Sequence, residues 1–363
     1  MSADLKKHPI RRVIIILLLL AAIAGGVRMW SYINEQVQPI LVPLNQAYAG
    51  YSNVPKKVPG LRLEEFSFTG WDNGEIRAVL AEKDGEESSR QLSVVGALTH
   101  RPATRLSYID YVLVCVDWDH GIRSALPLAE TLTAAGLRCV LWDPRGKDDR
   151  RPYCTHGLKE CFDVPQLVNE LVRRSGKEDP VIVAVGQGYG AGLLLQAAAW
   201  EPRIRSIISI DAYASLRQAV RRIMPDSLLT PVLMGIMDMR INRMAGIECF
   251  DVAPVDRAAA IDRNVPVLVV NLARQNPVCT SKDALLIYKQ LRSDKREIWT
   301  MPPADAEIAR EIEEDAIPVR YLTDEDSSLT DMIYWLNDTV VEALQSPRVR
   351  VPARPVPTTD LLL

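Results

Sequence analysis

The sequence predicts an α/β protein whose central sheet is mostly parallel and flanked by helices, with an N-terminal antiparallel hairpin and a small helical cap. Three observations carry the prediction. Short apolar runs rich in β-branched residues recur at 111–116, 137–142, 180–185, 206–210, 265–271 and 296–301. Helical patterns alternate with them at 123–135, 163–174, 189–200, 281–292 and 328–344. The runs are continuously apolar, which marks strands buried on both faces in a sheet covered by crossover helices.

At the N-terminus, Lys6, Lys7, Arg11 and Arg12 precede an uninterrupted apolar run from Val13 to Val27, followed by Arg28, Met29, Trp30, Ser31 and Tyr32. A bilayer span needs about 20 apolar residues and a signal-peptide core about 7 to 15, so the run admits both readings. Cleavage near Ala24, in Ala22-Ile23-Ala24, would release a secreted or periplasmic body. Trp30 and Tyr32 as an interfacial pair instead extend a span toward Ile33, and hydropathy and flanks favour this uncleaved, single-pass anchor over residues 1–34. The basic end then stays cytoplasmic and the body lies on the extracytoplasmic side.

Residues 35–60 read as a linker closed by Val54-Pro55-Lys56-Lys57-Val58-Pro59-Gly60. The main domain spans 61–345. It opens with strand-like runs at 61–69 and 75–82 around Gly70-Trp71-Asp72-Asn73-Gly74, whose Asn-Gly step signals a hairpin. An insertion at about 214–261 carries Met224, Met234, Met237, Met239 and Met244 and reads as the cap. Its methionines suit either an acyl pocket or, more commonly, adaptable core filling. Residues 346–363, where prolines interleave with arginines, read as a disordered tail.

A net charge of -3, with Lys and Arg scattered through the domain, lacks the basic field that nucleic-acid binding needs. No cofactor is expected. Of six cysteines, Cys115 and Cys139 fall inside strand-like runs and read as buried small hydrophobes. The other four can pair in three ways; Cys154 with Cys161 closes the shortest loop, a bridge of about 2 to 3 kcal/mol. A metal site is the weaker option, because no C-x-x-C occurs and His156 is the only nearby imidazole.

The most informative segment is Gly186-Gln187-Gly188-Tyr189-Gly190, between the apolar run ending at Val185 and the helical pattern that follows. Asp119-His120-Gly121 follows the first central run, Asp143-Pro144-Arg145-Gly146 the next, and Asn276-Pro277-Val278 the run at 265–271. Pro202-Arg203-Ile204-Arg205 leads into the run at 206–210. In this order, over roughly 61–344, these elements resemble the α/β-hydrolase family, in which a G-x-S-x-G turn lifts a nucleophilic serine above the sheet.

The resemblance implies a serine, an acid and a histidine in chain order. Gly188 stands at the serine position and has no side chain to attack with. Asn276 stands at the acid turn, and Asp211 matches the alternative acid position at the end of the preceding strand. The histidine position falls at Ala306, or at Asp305 one residue earlier, and no histidine follows residue 156. His120 and Gly121 lie on the loop that the family uses for its oxyanion hole, and Gln187 and Tyr189 flank the vacant turn, so these four are the candidate pocket residues. Asp117, Trp118 and Asp119 form an acidic-aromatic patch at the same edge; the aspartates read mainly as helix caps. His156 reads by default as a surface histidine.

The expectation is therefore a pseudoenzyme: a membrane-tethered member of the fold without serine catalysis, binding a small molecule or protein in its cleft or acting as a scaffold. Two alternatives stand beside it. One is an active esterase- or peptidase-type hydrolase using a non-standard nucleophile or a water activated by His120 or Asp211. The other is a purely structural subunit of an envelope complex.

Overall fold

The computed structural model describes residues 9–41, 54–55, 57–84, 108–116, 121–144, 153–272, 277–301, 306–322 and 325–345. Nine strands form one sheet: β1 (Leu61–Thr69), β2 (Glu75–Lys83), β3 (Tyr111–Cys115), β4 (Cys139–Trp142), β5 (Ile182–Gln187), β6 (Ile204–Ile210), β7 (Val267–Asn271), β8 (Arg296–Thr300) and β9 (Val319–Tyr321). Their order is β1-β2-β4-β3-β5-β6-β7-β8-β9. β2 is antiparallel to β1 and to β4, and every pairing from β4 to β9 is parallel.

The central strands explain the continuously apolar runs. Val112 and Val114 of β3 face one core layer with Val183 and Val185 of β5. Leu113 and Cys115 face the other layer with Ala184. Helices α2 (Ile122–Ala134) and α10 (Glu325–Gln345) cover the first face through Ala125, Ala129, Trp335 and Leu336. On the opposite face lie α3 (Asp163–Ser175), α4 (Tyr189–Ala198), α8 (Ser281–Gln290) and α9 (Ala306–Glu314). Every residue of α4 is buried. The cap comprises α5 (Leu216–Ile223), α6 (Thr230–Ala245) and α7 (Pro254–Ala258). Met224, Met234 and Met237 fill the core, whereas Met239 is exposed.

The N-terminal helix α1 runs unbroken over Pro9–Leu41 and contains the one span among the described residues long and apolar enough to cross a membrane. It extends past the boundary expected at residue 34. The reason is tertiary: Ile33, Val37 and Ile40 are buried in the main core, so the segment read as linker begins as part of the domain. Arg240 of α6 donates from Nε to Asn34 Oδ1 at 3.2 Å and stacks its guanidinium over the Trp30 ring at 4.7 Å. The sequence pattern also missed α9 and β9, a short helix and strand beyond residue 301.

Candidate functional site

The strand-to-helix turn after β5 lies at the C-terminal edge of the sheet. Gly188 has φ 57° and ψ −122°, a combination that glycine adopts at little cost and other residues at about 1 to 3 kcal/mol. The flanking glycines are required by close approach. A Cβ on Gly186 would lie 2.6 Å from Ala191 Cα and N, and one on Gly190 would lie 2.1 Å from the Cys115 carbonyl oxygen. Strand β5, helix α4 and the end of β3 can meet this closely only through glycine. Gln187 ends β5 and is half-buried.

Gly188 N–H donates to Ile210 O at 2.9 Å, which places the end of β6 beside the turn. Next comes Asp211, buried and held at φ 49°. Its Oδ1 accepts from Leu272 N–H at 2.8 Å and from Asn271 Nδ2 at 3.2 Å. Asn271 Oδ1 in turn accepts from Ser281 Oγ at 2.9 Å and Thr300 Oγ1 at 3.4 Å. A chain of buried polar groups thus ties the ends of β6, β7 and β8 together, with Asp211 at its head. Gly121, at φ 71°, is the N-cap of α2, and its carbonyl accepts from Ser124 Oγ at 2.8 Å. Asp143 completes that corner: its Oδ1 accepts from Ile122 N–H at 3.1 Å and its Oδ2 lies 3.1 Å from Arg77.

His156 and Tyr189 depart from expectation. His156 is 4% exposed and sits at φ 52°. Its Nε2 is 2.6 Å from Ile40 O in the last turn of α1, and its Nδ1 is 3.1 Å from Tyr213 OH. A carbonyl only accepts, so Nε2 carries the proton and the neutral ring's Nδ1 accepts from the tyrosine. Burial lowers the imidazole pKa, opposed by the Ile40 carbonyl and Glu160. Neither nitrogen is available as a base. Tyr189 is buried, edge-on to His156 with centroids 5.8 Å apart, instead of reaching into the cleft. Burial pushes its hydroxyl pKa well up.

The loop presenting His156 is built around Glu160. That buried carboxylate accepts from Thr155 N–H and Oγ1, each at 2.7 Å, and from Gly157 N–H at 2.8 Å. All six cysteines are buried and unbridged, so the expected Cys154–Cys161 disulfide is absent. Each thiol has a local partner instead: Cys154 Sγ accepts from His156 N–H at 3.3 Å, and Cys161 Sγ donates to Leu158 O at 3.6 Å. Burial raises the pKa of Cys139, Cys154 and Cys161, and pushes that of Cys249 up to about 12, which keeps these thiols protonated and unreactive near neutrality. No group of three or more His, Cys, Asp or Glu residues among the described residues is arranged to hold a metal ion.

The sequence reading overlooked Asp283, which is fully buried. Its Oδ1 accepts from Ala214 N–H at 3.0 Å, and its Oδ2 from Arg222 Nη2 at 2.7 Å and Thr280 Oγ1 at 2.7 Å. One carboxylate thus links the segment after β6, cap helix α5 and the start of α8. The Thr280-x-x-Asp283 capping box was the available signal. Ala306 is the first residue of α9, just beyond β8. The expectations at Asn276, Asp305, His120, Asp117, Trp118, Asp119, Arg145, Gly146 and the tail lie outside the described residues.

No protein-family model matches the chain, and no curated protein matches it in sequence. Solved structures do. The Pyrococcus furiosus esterase Pf2001 is similar with a TM-score of 0.51 at 12% identity, covering 80% of this chain and 97% of the esterase. DcsB, solved in complex with its substrate analogue, is similar with a TM-score of 0.51 at 12% identity, covering 78% of this chain and 100% of DcsB. At such identities the likeness is one of fold, and the fold is that of the α/β-hydrolases: a mostly parallel sheet with an antiparallel β1–β2 hairpin and flanking helices.

Proposed function

We propose that this chain is a membrane-tethered α/β-hydrolase-fold protein in which the serine-hydrolase relay is not assembled, and that it acts by binding or scaffolding at the C-terminal edge of its sheet. One observation carries the reading: the turn at Gly188 keeps the backbone of a nucleophile elbow, with both flanking glycines sterically required, yet its central residue has no side chain. The rest of the relay supports it. Ala306 and Asn276 stand at the histidine and acid positions, and the chain has no histidine beyond residue 156. Asp211 survives as an acid with no such histidine to orient.

The helix over Pro9–Leu41 supports the tether, and the basic residues before it support an extracytoplasmic body. A reporter fused after Leu363 tests sidedness: a cytoplasmic readout overturns it. Catalysis is tested on the full chain in detergent with a fluorophosphonate probe and p-nitrophenyl esters. Absence of labelling and turnover no faster than about 10³- to 10⁴-fold over water fit the reading. Robust turnover abolished by a single substitution would overturn it.

A second reading, hydrolysis by an activated water, draws on the position of Asp211 one residue beyond Ile210, whose carbonyl holds the Gly188 N–H. It requires a pH profile of activity that changes on replacing Asp211 or His120.

A further inference from the structure

We propose that the outer face of the cap is a second membrane contact, seated on an anionic lipid surface beside the anchor; this rests on the reading of α1 as a bilayer span. Cap helix α6 is apolar on two sides. Its inner face, Leu233, Met234, Met237 and Ile241, is buried in the core. Its outward face is apolar too: Val232 is 52% exposed and Met239 63%, and just before the helix Leu228 is 99% exposed and Leu229 60%. Ile223, at the end of α5, is 46% exposed as well. A surface helix of a soluble domain puts charged and polar residues on its outer side, and a helix apolar all round is covered by something.

Position and charge identify the cover. The side chains described over 14–27 of α1 are exposed, and the helix meets the cap where Arg240 stacks on Trp30 and reaches Asn34. Trp30 is the aromatic expected at the bilayer interface. The residue preceding Arg240 is the exposed Met239, so α6 joins the anchor at headgroup level. Of the arginines on α5 and α6, Arg217 pairs with Asp238 and Asp251, Arg221 with Asp226 and Arg222 with Asp283, which leaves Arg240, stacked on Trp30, and Arg243 in the C-terminal half of α6 outside the ion pairs among the described residues. Apolar side chains among arginines next to a span are the composition of a helix lying in an anionic interface.

The test uses the full chain in phosphatidylcholine vesicles containing phosphatidylglycerol. All native cysteines are buried, so a thiol-reactive nitroxide goes to single introduced sites. Leu228→Cys and Met239→Cys report the cap, Leu18→Cys the anchor, and Glu178→Cys an exposed site in the loop before β5. Collision with oxygen, which partitions into lipid, is compared with collision with a water-soluble nickel chelate. The expected result is a several-fold preference for oxygen at Leu228, Met239 and Leu18, and the reverse at Glu178. A lipidic Leu18 with aqueous Leu228 and Met239 overturns the cap contact and leaves the anchor standing. An aqueous Leu18 overturns the anchor and the proposal with it. Spin–spin broadening at Met239 in both vesicles and detergent assigns the patch to a second copy and overturns the lipid contact.

Discussion

Replacing Gly188 by serine places a hydroxyl at the turn and tests the strain and the proposed lack of a relay together. The backbone at φ 57°, ψ −122° is one that a side-chain-bearing residue occupies at about 1 to 3 kcal/mol. Gly188→Ser should therefore destabilise the protein by that amount, about 2 to 6 °C in Tm for a domain this large. Gly188→Ala should cost the same, because the penalty belongs to Cβ and not to the hydroxyl. Gly190→Ala, two residues on, should do far worse: its Cβ would sit 2.1 Å from the Cys115 carbonyl oxygen, so strand β3 or helix α4 must shift. Calorimetry on the three variants gives the order. On the proposed reading, with no histidine beyond residue 156 to take its proton, the new serine should stay unlabelled by fluorophosphonate. Two results would refute the reasoning: an unchanged or raised Tm for Gly188→Ser, which denies the strain, or rapid labelling, which reveals a base within reach of residue 188.

Acidification should destabilise the fold through His156. Its folded pKa is lowered below the unfolded value of about 6.5, so its contribution is complete above that pH and is lost as pH falls through the folded pKa, at about 1.4 kcal/mol per unit of difference. Urea midpoints at about pH 7.5 and about pH 5.5 should converge in His156→Gln relative to the parent; equal pH dependence in the two would contradict this. Asp283→Asn leaves the Arg222 guanidinium without its buried carboxylate, a loss of about 3 to 5 kcal/mol, and should make the cap sensitive to limited proteolysis. Thiol titration without reductant should find no reactive cysteine in the native protein and six after denaturation; four would establish one bridge. A chain started at Leu61 loses Ile33, Val37 and Ile40 from the core, each worth about 1.5 to 3 kcal/mol, and should show a broad, low-temperature melt where the full chain melts cooperatively.

The sheet was legible because its signal is local. Val112, Leu113 and Val114 serve two core layers at once, so β3 reads as an unbroken apolar run whatever its neighbours are. The turn at Gly188 was legible for a related reason, since close approach at Gly186 and Gly190 leaves no residue but glycine. His156 was not. Its burial depends on Ile40, which is 116 residues away, and on Tyr213 beyond the elbow, and no periodicity within 153–162 encodes either contact. The start of the segment read as linker was illegible for the same reason, because Val37 and Ile40 acquire their partners only in the tertiary fold. Strand β9, with a largely exposed sequence at the sheet edge, carries too little apolar pattern to stand out.

These long-range contacts change what the N-terminal helix does. Ile40 lies in the last turn of α1, where backbone carbonyls have no donor partner within the helix and must find one elsewhere. The donor here is the Nε2–H of His156, supplied by a loop that the Glu160 carboxylate holds in shape. The other ring nitrogen accepts from Tyr213, two residues past Asp211, at the sheet edge where the elbow lies. A single neutral imidazole thus joins the end of the apolar helix to the edge that carries the candidate site, while Ile33 and Val37 fix the helix against the core and Arg240 fixes it against the cap. A flexible tether would let the domain tumble above a membrane. On the proposed reading of α1 as a bilayer span, a continuous helix capped from inside the domain sets its orientation instead, with Arg240 of the cap beside Trp30.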